Sequence, residues 1–215
     1  MKSSDLNIPL RFYKTKNSRF AAAFHLKSNY HGDYFMNQMI IDALKTADTI
    51  GFDRAAPLTR DALIFREEVR AMCRADRCRS YGRTWSCPPG CGTLDEIREK
   101  VSAYTEGILV ETIGEMEDEF DFESIERAAA LHKKRFEALT ATLRSKGGDI
   151  MPMGAGRCTI CRDCTYPDAP CRFPERAAPS MEAAGLLVSD VCEKCGIPYY
   201  NGKNTTTFIS CILLR

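Results

Sequence analysis

Gly107-Ile-Leu-Val-Glu-Thr-Ile113 is the most strand-like stretch of the chain, dense in apolar and β-branched residues. Behind it, past an acidic loop, Ile125, Ala129, His132, Phe136, Leu139 and Leu143 recur at three- and four-residue spacing. That is one stripe of a long helix, which Gly147-Gly148 ends. Asp149-Ile-Met-Pro-Met153 then reads as a further strand. Strand, helix and strand with a crossover this long predict a βαβ unit, and with it a parallel pair joined by a right-handed connection.

Working outward, the apolar positions from Met36 to Ile50 have helical spacing and Gly51 stands at the stop position. An extended piece follows around Phe52–Leu58, then a charged helical stretch near Ala62–Met72. Towards the C-terminus, Ser180 suits the N-cap of a helix from Met181 to Cys195, closed by Gly196 and Pro198. The chain turns at Asn201-Gly202 and ends in a strand, Thr206–Leu214. Phe208 and Ile212 point one way along it and Ile209 and Leu213 the other, so both faces are apolar and the strand is expected to be central. The predicted class is α/β, a small mixed sheet with a βαβ unit and cysteine-rich loops. Residues 36–215 form a single domain in this reading. Residues 1–35, with six Lys or Arg against two Asp, are a basic, weakly ordered arm; the other reading of that arm is an organelle transit segment.

Thirty basic residues against twenty-nine acidic ones leave a net charge of +1, which gives no reason to expect a nucleic-acid or membrane-surface partner. The best signal-peptide candidate, Phe20-Ala-Ala-Ala-Phe-His-Leu26, is too short, and no run reaches the ~18 apolar residues of a spanning helix. The expected location is therefore cytoplasmic. In that reducing compartment the eleven cysteines, all at or beyond Cys73, point to metal or redox chemistry and away from disulfides.

Cys158-Thr-Ile-Cys161-Arg-Asp-Cys164 places three thiols in seven residues, and Cys171-Arg-Phe-Pro174 follows after six more. Three closely spaced thiols wrap one face of a metal centre and a fourth closes it, the logic of ferredoxin-type iron–sulfur binding. The six-residue gap is wider than the ferredoxin spacing, so zinc with four cysteines is the competing reading. Gly154-Ala-Gly156 is expected to bring backbone N–H groups to the sulfurs. A second centre is predicted at Cys73, Cys78, Cys87 and Cys91, with Pro89-Gly90 turning Cys91 back towards Cys87. Trp85 is expected to shield that centre, and Arg74, Arg77, Arg79 and Arg83 to favour its thiolates.

Cys192, Cys195 and Cys211 read as core residues, and His132 as a structural histidine in an apolar stripe. The run Glu111–Glu126 holds eight acids and no base; it reads as a solvated loop that favours the next helix N-terminus, or else as a dock for a basic redox partner. No phosphate-binding, dinucleotide or nucleophile-elbow motif occurs.

Further motifs are Glu68-Val-Arg-Ala-Met-Cys73, Cys78-Arg-Ser-Tyr-Gly-Arg-Thr-Trp-Ser-Cys-Pro-Pro-Gly-Cys-Gly-Thr93, Gly154-Ala-Gly-Arg-Cys158, Pro179-Ser-Met-Glu-Ala-Ala-Gly185 and Tyr199-Tyr-Asn-Gly-Lys-Asn-Thr205. Together with the cysteine run they resemble a family known as domain of unknown function 2284, whose members are described as predicted metal-binding proteins. The resemblance spans Met36 to the end. It implies metal or iron–sulfur binding and supplies no reaction. Many members carry cysteine at the position of Ala184, so that position is not an obligatory ligand.

The function expected from these residues is a cytoplasmic iron–sulfur protein with one or two [4Fe–4S]-type clusters, passing electrons to a redox protein or enzyme partner. No catalytic residue is assigned. The other readings are a redox enzyme whose cluster keeps an open iron site and a zinc-stabilised interaction module.

Overall fold

The computed structural model describes residues 37–215, and the expected basic arm over 1–35 lies outside the described residues. Asn37 caps helix α1 (Gln38–Ile50), its side-chain oxygen accepting the Met39 N–H at 3.0 Å, and Gly51 ends the helix at φ +97°. Strand β1 (Arg54–Thr59), a 3₁₀ turn (Arg60–Ala62) and helices α2 (Glu67–Arg74) and α3 (Leu94–Ser102) follow. Next come β2 (Glu106–Glu115), α4 (Phe122–Ser145), β3 (Ile150–Met153), α5 (Val188–Cys195) and β4 (Thr205–Leu214).

The fold is mixed α/β, but the sheet differs from expectation in its pairing. Its order is β1-β2-β4-β3 and every pair is antiparallel. The βαβ unit is split: β2 and β3 run the same way on either side of β4 and do not touch each other. The reason is legible in the residues. β3 is four residues long and contains Pro152, which has no N–H to give to a second neighbour, so it belongs at an edge. β4, apolar on both faces, pairs with β2 along its whole length, from Glu106↔Leu214 to Glu115↔Thr205.

Alternation along the strands divides the core. Ile108, Val110, Ile212 and Leu214 meet α1 and α4 through Ile40, Ala43, Ala47, Phe136, Leu139 and Leu143. Leu109, Ile209, Cys211 and Leu213 face the other way, onto α3 and α5 through Ile97, Val101, Val188 and Val191. The sheet is thus covered on both faces, as a strand with two apolar sides requires.

Three element assignments need correction. The segment after Ser180 is only a turn, in which the Ser180 hydroxyl accepts the Ala183 N–H at 3.0 Å; Gly185 at φ +85° ends it and α5 starts at Val188. The charged helix starts at Glu67, after the 3₁₀ turn. Helix α3 was not anticipated, although Thr93-Leu-Asp-Glu96 is a capping box: the Thr93 hydroxyl accepts the Glu96 N–H at 3.2 Å, and the Glu96 carboxylate accepts the Thr93 N–H at 2.7 Å. The acidic run is also divided. Asp121 caps α4 by accepting the Ser124 N–H, which holds its carboxyl down at about 2. Glu111, by contrast, is fully buried in β2, where Arg54 pairs with it at 2.8 Å and the Asn201 amide donates to it at 2.7 Å.

His132 is a structural residue, as expected. It docks α4 onto the sheet, its two ring nitrogens lying 2.9 Å from the Thr112 hydroxyl of β2 and 2.7 Å from the Ser210 hydroxyl of β4. Burial, helped by Arg135 and Lys133, pushes its pKa down to about 3. The unfolded chain protonates at the ordinary value near 6.5 and the folded one does not, so stability is complete above about pH 6.5 and falls as pH drops towards 3. Urea unfolding is expected to show a loss of about 2 kcal/mol from this residue between pH 7 and pH 5; a His132→Gln variant, weaker at pH 7, should lose that part of the slope. Separately, a Cβ at Gly107 would stand 2.3 Å from the Ile212 carbonyl oxygen. Gly107→Ala is expected to lower unfolding stability by about 1–3 kcal/mol through overpacking, read in the same assay.

Candidate metal centre

The first cysteine loop is pinned at both ends beside the sheet. Gly154, one residue past β3, donates its N–H to the Pro179 carbonyl at 2.8 Å and accepts the Met181 N–H at 3.0 Å. Residues 155–178 are therefore a closed excursion whose two feet touch. Inside it the Thr165 hydroxyl donates to the Pro170 carbonyl and the Arg172 guanidinium to the Asp163 carbonyl, both at 2.8 Å, which fold the run back on itself. The result is that Cys158, Cys161, Cys164 and Cys171 all line one cavity, with Trp85, Ile160 and Phe173 as its apolar walls. All four are free thiols and half-buried.

Cys158 stands nearest the base. Burial raises its pKa, the other three cysteines add to that rise, and the Ile160 backbone N–H bonded to its sulfur pulls the other way. Of the Gly154–Gly156 stretch, expected to bring N–H groups to the sulfurs, the Gly154 N–H is spent on the Pro179 carbonyl.

The second loop leaves α2 with Cys73 in the last turn. Asp76 and Arg79 adopt left-handed φ values of 48° and 54°, and the Asp76 carboxylate accepts the Tyr81 N–H at 2.9 Å. The Gly82 N–H donates to the Pro88 carbonyl at 2.8 Å, and the Cys91 N–H returns to the Cys87 carbonyl at 3.0 Å, the reversal expected from Pro89-Gly90. Burial raises the Cys73 pKa, with smaller contributions from neighbouring Cys78, Glu182 and Cys87. Of the arginines expected to favour these thiolates, Arg74, Arg77 and Arg79 are exposed, and Arg83 pairs with Asp76 at 3.5 Å. Arg70, in α2, is the arginine whose guanidinium reaches a thiol. Its guanidinium donates to the Cys91 sulfur at 3.6 Å and to the Ala183 and Gly92 carbonyls at 2.7 Å each, opposing the rise that burial imposes on Cys91. Only its place on the helix face towards Cys91 marks it out.

Trp85 belongs to the first site although it lies in the second loop. Its indole N–H donates to the Ala169 carbonyl at 3.1 Å, its ring meets Tyr166 edge-on with centroids 4.9 Å apart, and the Cys158 N–H donates to the neighbouring Ser86 hydroxyl at 3.3 Å. The approach is close enough that a Cβ at Gly90 would stand 2.9 Å from the Tyr166 ring. The wall of the first cavity is therefore borrowed from a segment some seventy residues earlier in the chain.

The remaining three cysteines, Cys192 and Cys195 on α5 and Cys211 on β4, are buried in one core. Burial pushes the Cys192 and Cys195 thiols up to about 12, and Cys211 rises too. Among the described residues no three Cys, His, Asp or Glu side chains meet closely enough to hold a metal ion as they are placed. The loop thiols ring their cavity instead of converging on a point.

The family described as predicted metal-binding protein (DUF2284) matches residues 56–214, most of the chain and both cysteine loops. The chain belongs to this family. No curated protein and no solved structure matches it. The DUF2284 match begins inside β1, so α1, which covers the sheet through Ile40, Ala43 and Ala47, lies before the matched span. Among the described residues no helix is long and apolar enough to cross a membrane.

Thiol reactivity separates the three sets in this family member. In metal-free native protein the exposed and half-buried loop thiols should react with a thiol reagent, whereas buried Cys87 and the core thiols Cys192, Cys195 and Cys211 should react only on unfolding, read by mass spectrometry. Trp85→Ala, which removes one wall, should speed modification of Cys158, Cys161, Cys164 and Cys171 and leave the core thiols unchanged.

Proposed function

We propose that the chain is a cytoplasmic iron–sulfur protein that carries a [4Fe–4S]-type cluster on Cys158, Cys161, Cys164 and Cys171 and passes electrons to a partner enzyme. The observation that carries this reading is the single cavity onto which all four thiols face. Its donor set fits the group: four sulfurs, an N–H already directed at one of them, and apolar walls. Thiols spread around a cavity suit a polynuclear cluster better than one tetrahedral zinc, whose four sulfurs each lie ~2.3 Å from the ion. Such a cluster supplies one-electron chemistry when bound. The chain's own residues would limit water access through Trp85, Ile160 and Phe173 and stabilise charge on the Cys158 sulfur through Ile160 N–H. Cys73, Cys78, Cys87 and Cys91 would hold a second centre, with the Arg70 guanidinium beside Cys91 favouring an anionic group.

Anaerobic purification followed by iron and acid-labile sulfide analysis tests the reading. About four irons and four sulfides per filled centre are expected, with a visible charge-transfer band. Replacing Cys161 and Cys164 together by alanine should remove one centre's iron, whereas Cys192→Ala should leave iron content unchanged. Colourless protein with stoichiometric zinc would overturn the proposal.

A further inference from the structure

A second cavity, open to solvent, lies against the cysteine cavity, and the two share Cys158 and Ile160 as a common wall. Its floor is neutral: His132, Phe136 and Ser210, with His132 and Ser210 already bonded to each other at 2.7 Å. Its rim is cationic. Lys133, Arg157 and Arg176 line it against a single carboxylate, Glu137. Lys133 is half-buried and donates only to neutral groups, the Arg157 carbonyl at 3.1 Å and the Thr159 hydroxyl at 3.3 Å. The Arg157 guanidinium is exposed and has no carboxylate partner among the described residues. Arg176 reaches Glu137 at 3.4 Å, a long contact between two half-exposed side chains and so a weak one.

Positive charge concentrated around a cavity with an uncharged, partly apolar floor is the arrangement that captures a small anion, because guanidinium and ammonium groups form charge-assisted bonds to carboxylate or phosphate oxygens. We propose that this cavity is a binding site for a small oxyanion, a carboxylate or a phosphate, seated against Cys158. Arg157 and Arg176 clamp the anion from the rim, Lys133 holds the loop of Arg157 and Thr159 in place and adds its charge, and Glu137 tempers the site. The assignment goes beyond electron transfer: it gives the chain a ligand of its own, held one residue's width from the cysteine cavity. It stands whichever metal the cysteine loops hold.

Isothermal titration calorimetry on the full chain, with the metal it carries as isolated, tests this with inorganic phosphate and malonate in separate arms. One saturable site per chain is expected, and the tighter arm identifies the class of anion. Arg157→Gln and Arg176→Gln should each weaken binding about five- to tenfold, and together should abolish it. Glu137→Gln should tighten binding about two- to threefold by releasing Arg176. Arg127→Gln, on α4 away from the cavity, should change nothing. Arg157 is exposed and has no ion pair among the described residues, so Arg157→Gln should leave the melting temperature in place; Arg176 also lies over the Phe173 ring at 5.4 Å, so the folding of its variants is confirmed by circular dichroism before titration. If neither anion saturates, or if the double variant binds as the wild type does, the site does not exist. Loss of metal in the double variant, with no anion binding in the wild type, would show that these cations only balance charge at the cysteine loops and would likewise overturn the proposal.

Discussion

The insertion of the C-terminal strand between β2 and β3 is the constraint on which the rest of the molecule depends. β4 takes part in two of the three ladders of the sheet and gives side chains to both cores. It also carries Ser210, which with Thr112 of β2 fixes His132 and so the position of α4. Because β4 takes the inner place, β3 is left at the edge. From that edge Gly154 joins the strip at Pro179–Met181, which closes the feet of the first cysteine loop. The thiol-lined cavity is thus anchored to the sheet by main-chain hydrogen bonds, and its shape does not rest on the loop alone.

The site is shared between distant segments for a physical reason. A loop of twenty-four residues with four cysteines and little apolar content cannot enclose a cavity by itself. Trp85 and Ser86 close it from the second loop, through one indole N–H, one edge-on ring contact and one hydroxyl that receives the Cys158 N–H. Arg70 ties that second loop in turn to the turn at Ala183, next to the strip that pins the first. The two cysteine loops are thus in direct contact through Trp85 and Ser86, and Arg70 of α2 fastens the second of them.

Much of this was legible beforehand where a local rule acts alone. The 3.6-residue stripe of α4, the glycine stop of α1, the two-faced apolar pattern of β4 and the turn that returns Cys91 to Cys87 each depend on neighbours in sequence. Helix α3 is equally local, its start being marked by the capping box Thr93-Leu-Asp-Glu96. The helix drawn from Ser180 failed because Gly185 takes a left-handed φ where Leu94 and the Arg66 carbonyl crowd it, and sequence alone does not show that crowding. The burial of Glu111 is not visible in its own neighbourhood, because its partners, Arg54 and Asn201, are 57 and 90 residues away.

The sequence by itself determined which residues are chemically special: the two cysteine loops, the three core thiols and a structural histidine, since residue type and spacing carry that information. Tertiary structure alone decided which of them meet. It set the antiparallel order of the sheet, because strand adjacency is settled by competition for both faces of β4. It assigned Trp85 to the first cavity, because an aromatic side chain is claimed by the nearest packing surface and not by the nearest cysteine in the chain. It also gathered Lys133, Arg157 and Arg176 around one cavity, from a helix and the two ends of a loop whose proximity follows only from closure of that loop on the sheet.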